Sequence, residues 1–160
     1  MAPKDLPSPD VLRQLLRYEP DTGRLFWRVR TPELFSETPN RTAEHSCKLW
    51  NARHAGKEAF LFLYPKGYLK SDIFDFPHQA QRVIWAMQTG AWAEEQVDHK
   101  DNNPGNNRWE NLRPATWSQN QQNKGIPKNN TSGFKGVSWC KRRGQWHVSV
   151  KCDGKQHNIG

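Results

Sequence analysis

The sequence has few hydrophobic residues and few cysteines. Hydrophobic residues make up 34% of its 160 residues, whereas a soluble domain usually has about 45–50%, so one large core is not expected. The three cysteines, Cys47, Cys140 and Cys152, contain no C-x-x-C pair. This argues against a disulfide framework and against a standard zinc site. The length suits one ordinary domain or two to three small modules.

Long apolar runs are also missing. The sequence has no stretch that approaches the roughly 18 apolar residues of a membrane span, and no secretory signal peptide is recognisable. It shows no basic amphipathic helix of the kind that binds membrane surfaces. We therefore expect no membrane partner, and a reduced cytoplasmic environment.

Acidic residues are scarce in the last quarter of the chain. Residues 124–160 contain eight Lys or Arg but one acid, Asp153, and so hold nearly all of the net charge of +8. Such an excess indicates a polyanionic partner, of which nucleic acid is the first candidate.

Local patterns predict an α+β fold. Ser8 can cap a helix whose first residue is Pro9, and Gly90 can end a second helix. The predicted elements before the middle of the chain are a helix after Ser8, a strand at 24–30, a loop at 31–47, a hairpin within 58–74 around a "PKG" turn, and a helix at 78–90. These elements predict an N-terminal region of helix and hairpins on which the following segment rests.

The second half of the chain has two further patterns. Residues 94–124 predict a strand, an irregular loop, a second strand and a helix with a Thr116–Gln119 capping box. Residues 134–160 predict three strands joined at "CKRRG" and "DG". We predict three domains: an N-terminal α/β region with hairpins at 1–77, a core at 78–124 and a three-stranded antiparallel module at 125–160.

Asp98 and His99 stand side by side at the end of a predicted strand, before an asparagine-rich loop. A carboxylate can bind a divalent cation while an imidazole accepts a proton from water. Hard cations prefer oxygen ligands, and Asn120 on the following helix is the best placed to supply one. Such a site suits phosphodiester cleavage. Taken alone, an Asp-His pair is more often a hydrogen-bonded turn.

The spacing of His99, Asn111 and Asn120 resembles the His-Asn-Asn version of the HNH (ββα-metal) endonucleases. The segments "RVIWAMQTGAW", "VDH", "NNRWENLR" and "SQNQQNK" are similar to the phage and prophage branch of that family, and "WNARHAGKEAF" is similar to its upstream region. The resemblance covers roughly residues 9–124.

The resemblance implies a role for each matching residue. His99 would be the general base, Asp98 and Asn120 would hold Mg²⁺ or Mn²⁺, and Asn111 would tie the loop that aligns His99. It also implies hydrolysis that leaves 5′-phosphate and 3′-hydroxyl ends, and a monomer that nicks DNA in a homing-type role. One departure is Gln81, which precedes Arg82 where the family commonly has His.

The segment from Thr131 onward resembles the strand half of an APETALA2-type DNA-binding domain. The family's packing helix would follow Gly160, so a truncated or naturally short form is expected. Basic and aromatic side chains on such strands suit double-stranded DNA. The predicted DNA-binding residues are Arg82, Lys135, Trp139, Lys141, Arg142, Arg143, Trp146 and Lys151.

Two alternatives remain open at this point. The first is a sequence-specific DNA-binding protein with an inactive nuclease core; retention of Asp98, His99 and Asn120 favours the enzyme. The second is an RNA-directed protein, since tryptophans stack on single strands. For the apolar side chains of the middle C-terminal strand, including Trp146, a plain core face is the simplest interpretation.

Overall fold

The computed structural model describes residues 6–65, 67–127, 129–152 and 155–159 and confirms the α+β class. The chain forms two compact units, Met1–Asn123 and Lys124–Gly160. The "DG" turn at Asp153 and Gly154 and the centre of the "PKG" turn at Lys66 lie outside the described residues. Within the described residues, no helix is long and apolar enough to cross a membrane.

The first unit opens with helix α1 (Pro9–Leu15) and a hairpin of β1 (Leu16–Glu19) and β2 (Arg24–Trp27). The Oγ of Ser8 accepts a hydrogen bond from the Val11 N–H at 3.3 Å, so the predicted cap is confirmed. Strand β1 was not predicted. It follows α1 without a loop because the backbone becomes extended at Leu16, which pairs with Trp27.

Helix α2 (Ala43–His54) corrects the loop predicted at 31–47. Its N-terminus is capped by Thr42, whose Oγ1 accepts from the His45 N–H at 3.2 Å. Among its residues only Cys47 is buried, so the helix has no wide apolar stripe that a periodicity search could detect. Its stability comes from its cap and from side-chain contacts to the end of β2.

The second sheet is antiparallel in the order β3 (Phe62–Leu63), β4 (Leu69–Ile73), β5 (Phe76–Gln79). The predicted β3–β4 hairpin is confirmed, but β5 was missed. It follows β4 through Phe74 and Asp75, both with positive φ, which is rare for residues other than glycine and has no simple sequence signature.

Helix α3 (Ala80–Thr89) lies at the centre of this unit. It ends at Gly90, which has a left-handed φ of 79°, as the sequence predicted. Its inward face, with Val83 and Ile84, is fully buried together with Leu12 and Leu15 of α1. This core supports the strands that carry the Asp-His pair.

The next elements are an antiparallel pair, β6 (Gln96–His99) and β7 (Leu112–Ala115), and helix α4 (Trp117–Asn123). The capping box is confirmed: the Thr116 N–H donates to Gln119 Oε1 at 2.9 Å, and the Gln119 N–H donates to Thr116 Oγ1 at 3.2 Å. Strand, loop, strand and helix therefore follow one another as predicted.

The second unit is a three-stranded antiparallel sheet with β9 (Gln145–Cys152) between β8 (Val137–Cys140) and β10 (Lys155–Ile159). The prediction of three strands is confirmed. Trp139 and Trp146 face each other across β8 and β9, with ring centroids 5.2 Å apart in an edge-to-face arrangement. Both rings stay exposed, so this face of the sheet is not a closed core within the described residues.

Candidate active site

Asp98 and His99 occupy the last two positions of β6 and are both buried, with exposed fractions of 6% and 3%. The register of the strand pair places Asp98 opposite Arg113 and His99 opposite Leu112. Burial of a carboxylate beside an imidazole requires polar partners. The partners come from three elements: β7, the loop between β6 and β7, and α4.

One oxygen of Asp98 receives three hydrogen bonds. Its Oδ2 accepts from Nε and Nη2 of Arg113 at 3.0 and 2.8 Å, and from Nδ2 of Asn123 at 2.9 Å. The guanidinium thus donates two parallel N–H groups to a single carboxylate oxygen, which is a strong charge-assisted contact. The positive charge of Arg113 compensates the negative charge of the Asp98 carboxylate, and the three hydrogen bonds fix the orientation of the carboxylate.

His99 is held by a residue from the loop. Its Nε2 lies 3.0 Å from Oδ1 of Asn107, which is itself only 1% exposed. With the amide oxygen as acceptor, the ring proton is assigned to Nε2, and Nδ1 then carries the lone pair. An imidazole fixed in this tautomer can accept a proton at Nδ1.

The amide of Asn111 connects the two ends of the loop. Its Nδ2 donates to the carbonyl of Asn106 at 2.8 Å and to Asp101 Oδ1 at 2.9 Å, and its Oδ1 accepts from the Asp101 N–H at 3.1 Å. These contacts suit the predicted clasp. They act through the loop, and none of them touches the His99 ring.

Asp101 organises the start of the same loop. Its carboxylate accepts hydrogen bonds from the Asn103 N–H at 2.8 Å and from Asn106 Nδ2 at 2.7 Å. Desolvation raises its pKa, but the hydrogen bonds from Asn106, Asn103 and Asn111 outweigh it and hold the pKa of Asp101 below its ordinary value. The asparagines therefore act as donors to one carboxylate, which gives the loop a fixed shape.

The hairpin β1–β2 supports the loop from the other side. The hydroxyl of Tyr18 donates to the carbonyl of Asn107 at 2.8 Å, and burial raises the pKa of Tyr18 above its ordinary value. A Cβ placed on Gly23 would lie 2.6 Å from the backbone of both Asn107 and Arg108. Since only glycine fits this close approach, the turn of the hairpin helps position the residue that holds His99.

Helix α4 brings Asn123, rather than Asn120, to Asp98. Nδ2 of Asn123 donates to Asp98 Oδ2 and to the His99 carbonyl, each at 2.9 Å, whereas Nδ2 of Asn120 donates to Oε1 of Gln96. Gln96 and Asp98 lie two residues apart on the same face of β6. Asn120 and Asn123 lie about one helical turn apart on α4. The helix therefore runs along the strand and presents an amide to each position.

The oxygen atoms around Asp98 suit a hard divalent cation. Asp98 Oδ2 and the His99 carbonyl converge on the Asn123 amide, and a half-turn of that amide would present its oxygen instead of its nitrogen. Mg²⁺ prefers such oxygen ligands and keeps several waters. No group of three or more His, Cys, Asp or Glu side chains that could hold a metal occurs in the described part of the chain. A cation here would therefore have one carboxylate and neutral oxygens as its protein ligands.

The predicted DNA-binding residues differ in their surroundings. The guanidinium of Arg82 donates to the carbonyls of Glu95 and Ala93 at 2.5 and 3.2 Å. These N–H groups therefore hold the segment that leads into β6. In the second unit Lys135, Trp139, Lys141, Arg142, Arg143 and Trp146 are exposed. Lys151 lies in β9, and its side chain is outside the described residues.

Gln81 is buried immediately before Arg82. Its Nε2 lies 3.3 Å from Oε1 of Gln79, and its own Oε1 has no hydrogen-bond partner in the described structure. The departure from the family pattern thus falls inside the core of the first unit.

Comparison with known proteins supports the class that this geometry indicates. Residues 78–122 match a family model described as HNH endonuclease. The match includes Asp98, His99, Asn107, Asn111 and Asn120 and ends one residue before Asn123. This part of the chain is thus similar to HNH endonucleases.

Among individual proteins, Protein 3.8 of Escherichia phage T7 is 50% identical over 63 residues, which are 39% of this chain and 52% of that protein. The chain therefore spans about half the length of this relative. No solved structure matches. The likeness of the second unit to an APETALA2-type domain remains a prediction.

Proposed function

We propose that this protein is a divalent-cation-dependent DNA endonuclease that nicks double-stranded DNA. The observation that carries the proposal is the pairing of His99 Nε2 with Asn107 Oδ1 beside a buried carboxylate. It leaves Nδ1 of the imidazole available as a proton acceptor within a site that also offers oxygen ligands. The match of residues 78–122 to an HNH endonuclease model supports the same chemistry.

His99 is the proposed general base. Its Nδ1 accepts a proton from a water molecule whose oxygen attacks phosphorus. The bond from phosphorus to the 3′-oxygen breaks, and that oxygen takes a proton from a solvent water. The products are a 5′-phosphate and a 3′-hydroxyl. Asn107 keeps the ring in the required tautomer, and Asn111 keeps the loop that carries Asn107 closed.

Asp98 is the proposed anionic ligand for Mg²⁺ or Mn²⁺, and α4 supplies an amide. Asn120 is the amide that the family spacing assigns, and Asn123 is the amide that contacts Asp98. When bound, a divalent cation supplies positive charge for the phosphate and the leaving oxygen. Arg113, half-exposed beside Asp98, is suited to bind a phosphate oxygen once it releases the carboxylate.

The second unit is proposed to bind duplex DNA through its exposed basic and aromatic residues. Its sheet presents Trp139 and Trp146 next to Lys141, and the turn between β8 and β9 adds Arg142 and Arg143. A monomer with one such site cuts one strand, so a nick is the expected product. A homing-type role in a phage, inside the host cytoplasm, would suit these activities.

A supercoiled-plasmid assay tests the proposal. Wild-type protein and His99→Ala are compared with Mg²⁺, with Mn²⁺ and with a chelator, and His45→Ala serves as the control because His45 is exposed on α2. We expect open circles from wild type and His45→Ala only when metal is present, and intact plasmid from His99→Ala. Salt-sensitive DNA binding without cleavage under any metal would instead support a DNA-binding protein with an inactive core.

A further inference from the structure

A second concave surface lies in the first unit, away from the Asp98 carboxylate. It is an open cavity of about 1140 Å³ between the end of β2, helix α2 and the sheet β3–β4–β5. Aromatic rings dominate its wall: Trp27, Phe35, Trp50, Phe60, Phe62 and Tyr64. Two of these rings are solvent-exposed, Phe62 to 66% and Tyr64 to 46%. Exposed rings grouped around a cavity in a basic protein indicate a binding surface.

Arg30 is one of two cations that line this cavity, and hydrogen bonds hold its backbone in place. Its N–H donates to Oδ1 of Asn51 at 2.9 Å, and its carbonyl accepts from Nδ2 of Asn51 at 2.9 Å and from Sγ of Cys47 at 3.1 Å. The contacts of Asn51 and Cys47 on α2 therefore place Arg30, which follows β2, at the cavity wall.

The guanidinium of Arg30 is stacked on aromatic rings and forms no ion pair among the described residues. Its central carbon lies 3.8 Å from the ring centroid of Trp50 and 5.1 Å from that of Trp27. Desolvation lowers its pKa, although arginine stays charged. None of the ion pairs among the described residues includes it, and its Nε is buried without a hydrogen-bond partner. A fixed, partly desolvated cation of this kind is suited to an anion.

The wall also contains a second cation and three carboxylates. Nζ of Lys70 lies 3.6 Å from the ring centroid of Tyr64. The carboxylates are Asp72, two residues later on the same strand, Asp75, and Glu58, which pairs with Arg24 at 3.7 Å. Two cations suit a phosphate, the ring faces suit a planar base, and a carboxylate accepts hydrogen bonds from the amino group of a base. A nucleotide combines all three features, whereas a simple anion uses only the cations.

The cavity is joined to the Asp-His site by the β3–β4 hairpin. Tyr64 and Lys70 line the cavity, and between them Tyr68 lies with its ring centroid 6.1 Å from that of His99. The Tyr64 N–H donates to the Tyr68 carbonyl at 2.8 Å, which closes the hairpin. The loop after His99 also lies against it, since a Cβ on Gly67 would be 3.5 Å from Pro104. A DNA strand that crosses this hairpin would meet both sites.

We propose that this cavity binds one unpaired nucleotide of the DNA strand near the scissile phosphate. The base stacks on the exposed rings, and Arg30 and Lys70 bind its phosphate. The inference rests on the proposed function, because it identifies the ligand as part of the nuclease substrate. It predicts that the protein prefers DNA in which a base is free to leave the duplex.

Equilibrium binding in the presence of a chelator tests the inference without cleavage. The probes are a perfectly paired duplex and the same duplex with a one-nucleotide bulge of 2-aminopurine, whose fluorescence falls on stacking. The variants are Arg30→Met, which keeps the stem but removes the charge, and Phe62→Ala, which changes a ring that is 66% exposed. Arg53→Met on exposed α2 surface is the charge-matched control.

For wild type and Arg53→Met we expect roughly tenfold tighter binding of the bulged duplex, with quenched fluorescence, since stacking of one base gives about that ratio. Arg30→Met and Phe62→Ala should bind both duplexes alike. An unchanged preference in both variants would overturn the inference, even in a protein that nicks plasmid. If wild type does not nick plasmid but still prefers the bulged duplex in an Arg30-dependent way, the proposed function is overturned and the nucleotide site is supported.

Discussion

Oδ1 of Asn107 lies 3.0 Å from Nε2 of His99, and both side chains are almost completely buried. Residues eight positions apart meet here because the loop between β6 and β7 folds back on its own start. The loop is closed by the Asn111 amide and supported by the β1–β2 hairpin. The orientation of the proposed base therefore depends on residues from both halves of the first unit.

We predict that Asn107→Ala lowers the nicking rate about 10–100-fold, the usual effect of removing a group that orients a functional histidine. Asn107→Asp should retain the contact but place a carboxylate beside Nε2. The added negative charge stabilises the protonated imidazole, which cannot accept a proton. The nicking rate of Asn107→Asp, relative to wild type, should therefore be lowest at the acidic end of a rate-against-pH profile. A profile that matches wild type would show that Asn107 does not act through His99.

Asn123 and Asn120 give different predictions for cation binding. Because Asn123 contacts Asp98 and Asn120 contacts Gln96, Asn123→Ala should weaken Mn²⁺ binding by at least about tenfold, and Asn120→Ala should have a smaller effect. Titration calorimetry without DNA measures this directly. The reverse order would support the assignment that the family spacing makes. Asp98→Asn, which removes the charge, should abolish binding in either case.

Gly23 and Gly56 form a matched pair for testing the hairpin support. Both have positive φ, 76° and 77°, so alanine costs about 1–2 kcal/mol of backbone energy at either position. A Cβ on Gly56 meets nothing within 4 Å, whereas one on Gly23 meets the Asn107 and Arg108 backbone. Gly23→Ala should therefore lower the free energy of unfolding by a further ~1–3 kcal/mol, measured by thermal unfolding. It should also remove most nicking activity in the plasmid assay. Equal effects would contradict a positioning role for Gly23.

Much of the site could be predicted from sequence because its signals are local. The strand end at His99, the Thr116–Gln119 capping box and the helix that follows depend on nearby residues. Spacing grouped His99, Asn111 and Asn120 beside Asp98, and the structure pairs Asn120 with Gln96 instead of Asp98. Asn107 and Asn123 were not singled out. Their roles depend on tertiary contacts, and an asparagine-rich loop offers several equivalent candidates. The doublet "NN" at 106–107 and the i+3 spacing of Asn120 and Asn123 are the signals that were available.

The same distinction explains what was missed in the fold. Helix α2 has little apolar periodicity and is stabilised by its Thr42 cap and by the contacts of Asn51 with Arg30. Strand β5 depends on two consecutive residues, Phe74 and Asp75, with positive φ. Neither feature produces a periodic hydrophobic pattern. The aromatic cavity that α2 and this sheet form could not be predicted for that reason.

His78 should make the stability of the first unit depend on pH. The ring is buried against Trp92, and its Nε2 has no hydrogen-bond partner in the described structure. Desolvation lowers its pKa; Arg82 acts in the same direction, and Asp72 and the Ile73 backbone oppose it. Folding therefore favours the neutral ring. The stabilisation is complete above the unfolded pKa of about 6.5 and is lost as pH falls from there through the folded pKa.

Urea unfolding at several pH values between 7.5 and 5 measures this effect. Wild type should become less stable toward pH 5, and His78→Gln should show a flatter dependence because its side chain does not titrate. His45→Ala, which changes an exposed histidine, should retain the wild-type slope. A His78→Gln protein with the full wild-type slope would show that another group is responsible.

The turn between β8 and β9 should control the salt dependence of DNA binding. Lys141, Arg142 and Arg143 are consecutive and exposed, and each phosphate that a cation neutralises contributes about 0.9 to the slope of log K against log salt. Changing all three to alanine should weaken binding at low salt and reduce that slope by up to about 3. Trp139→Ala should weaken binding with the slope unchanged, because a ring releases no counterions. Gel-shift titrations at several salt concentrations separate the two effects, and an unchanged slope in the triple variant would place the phosphate contacts elsewhere on the protein.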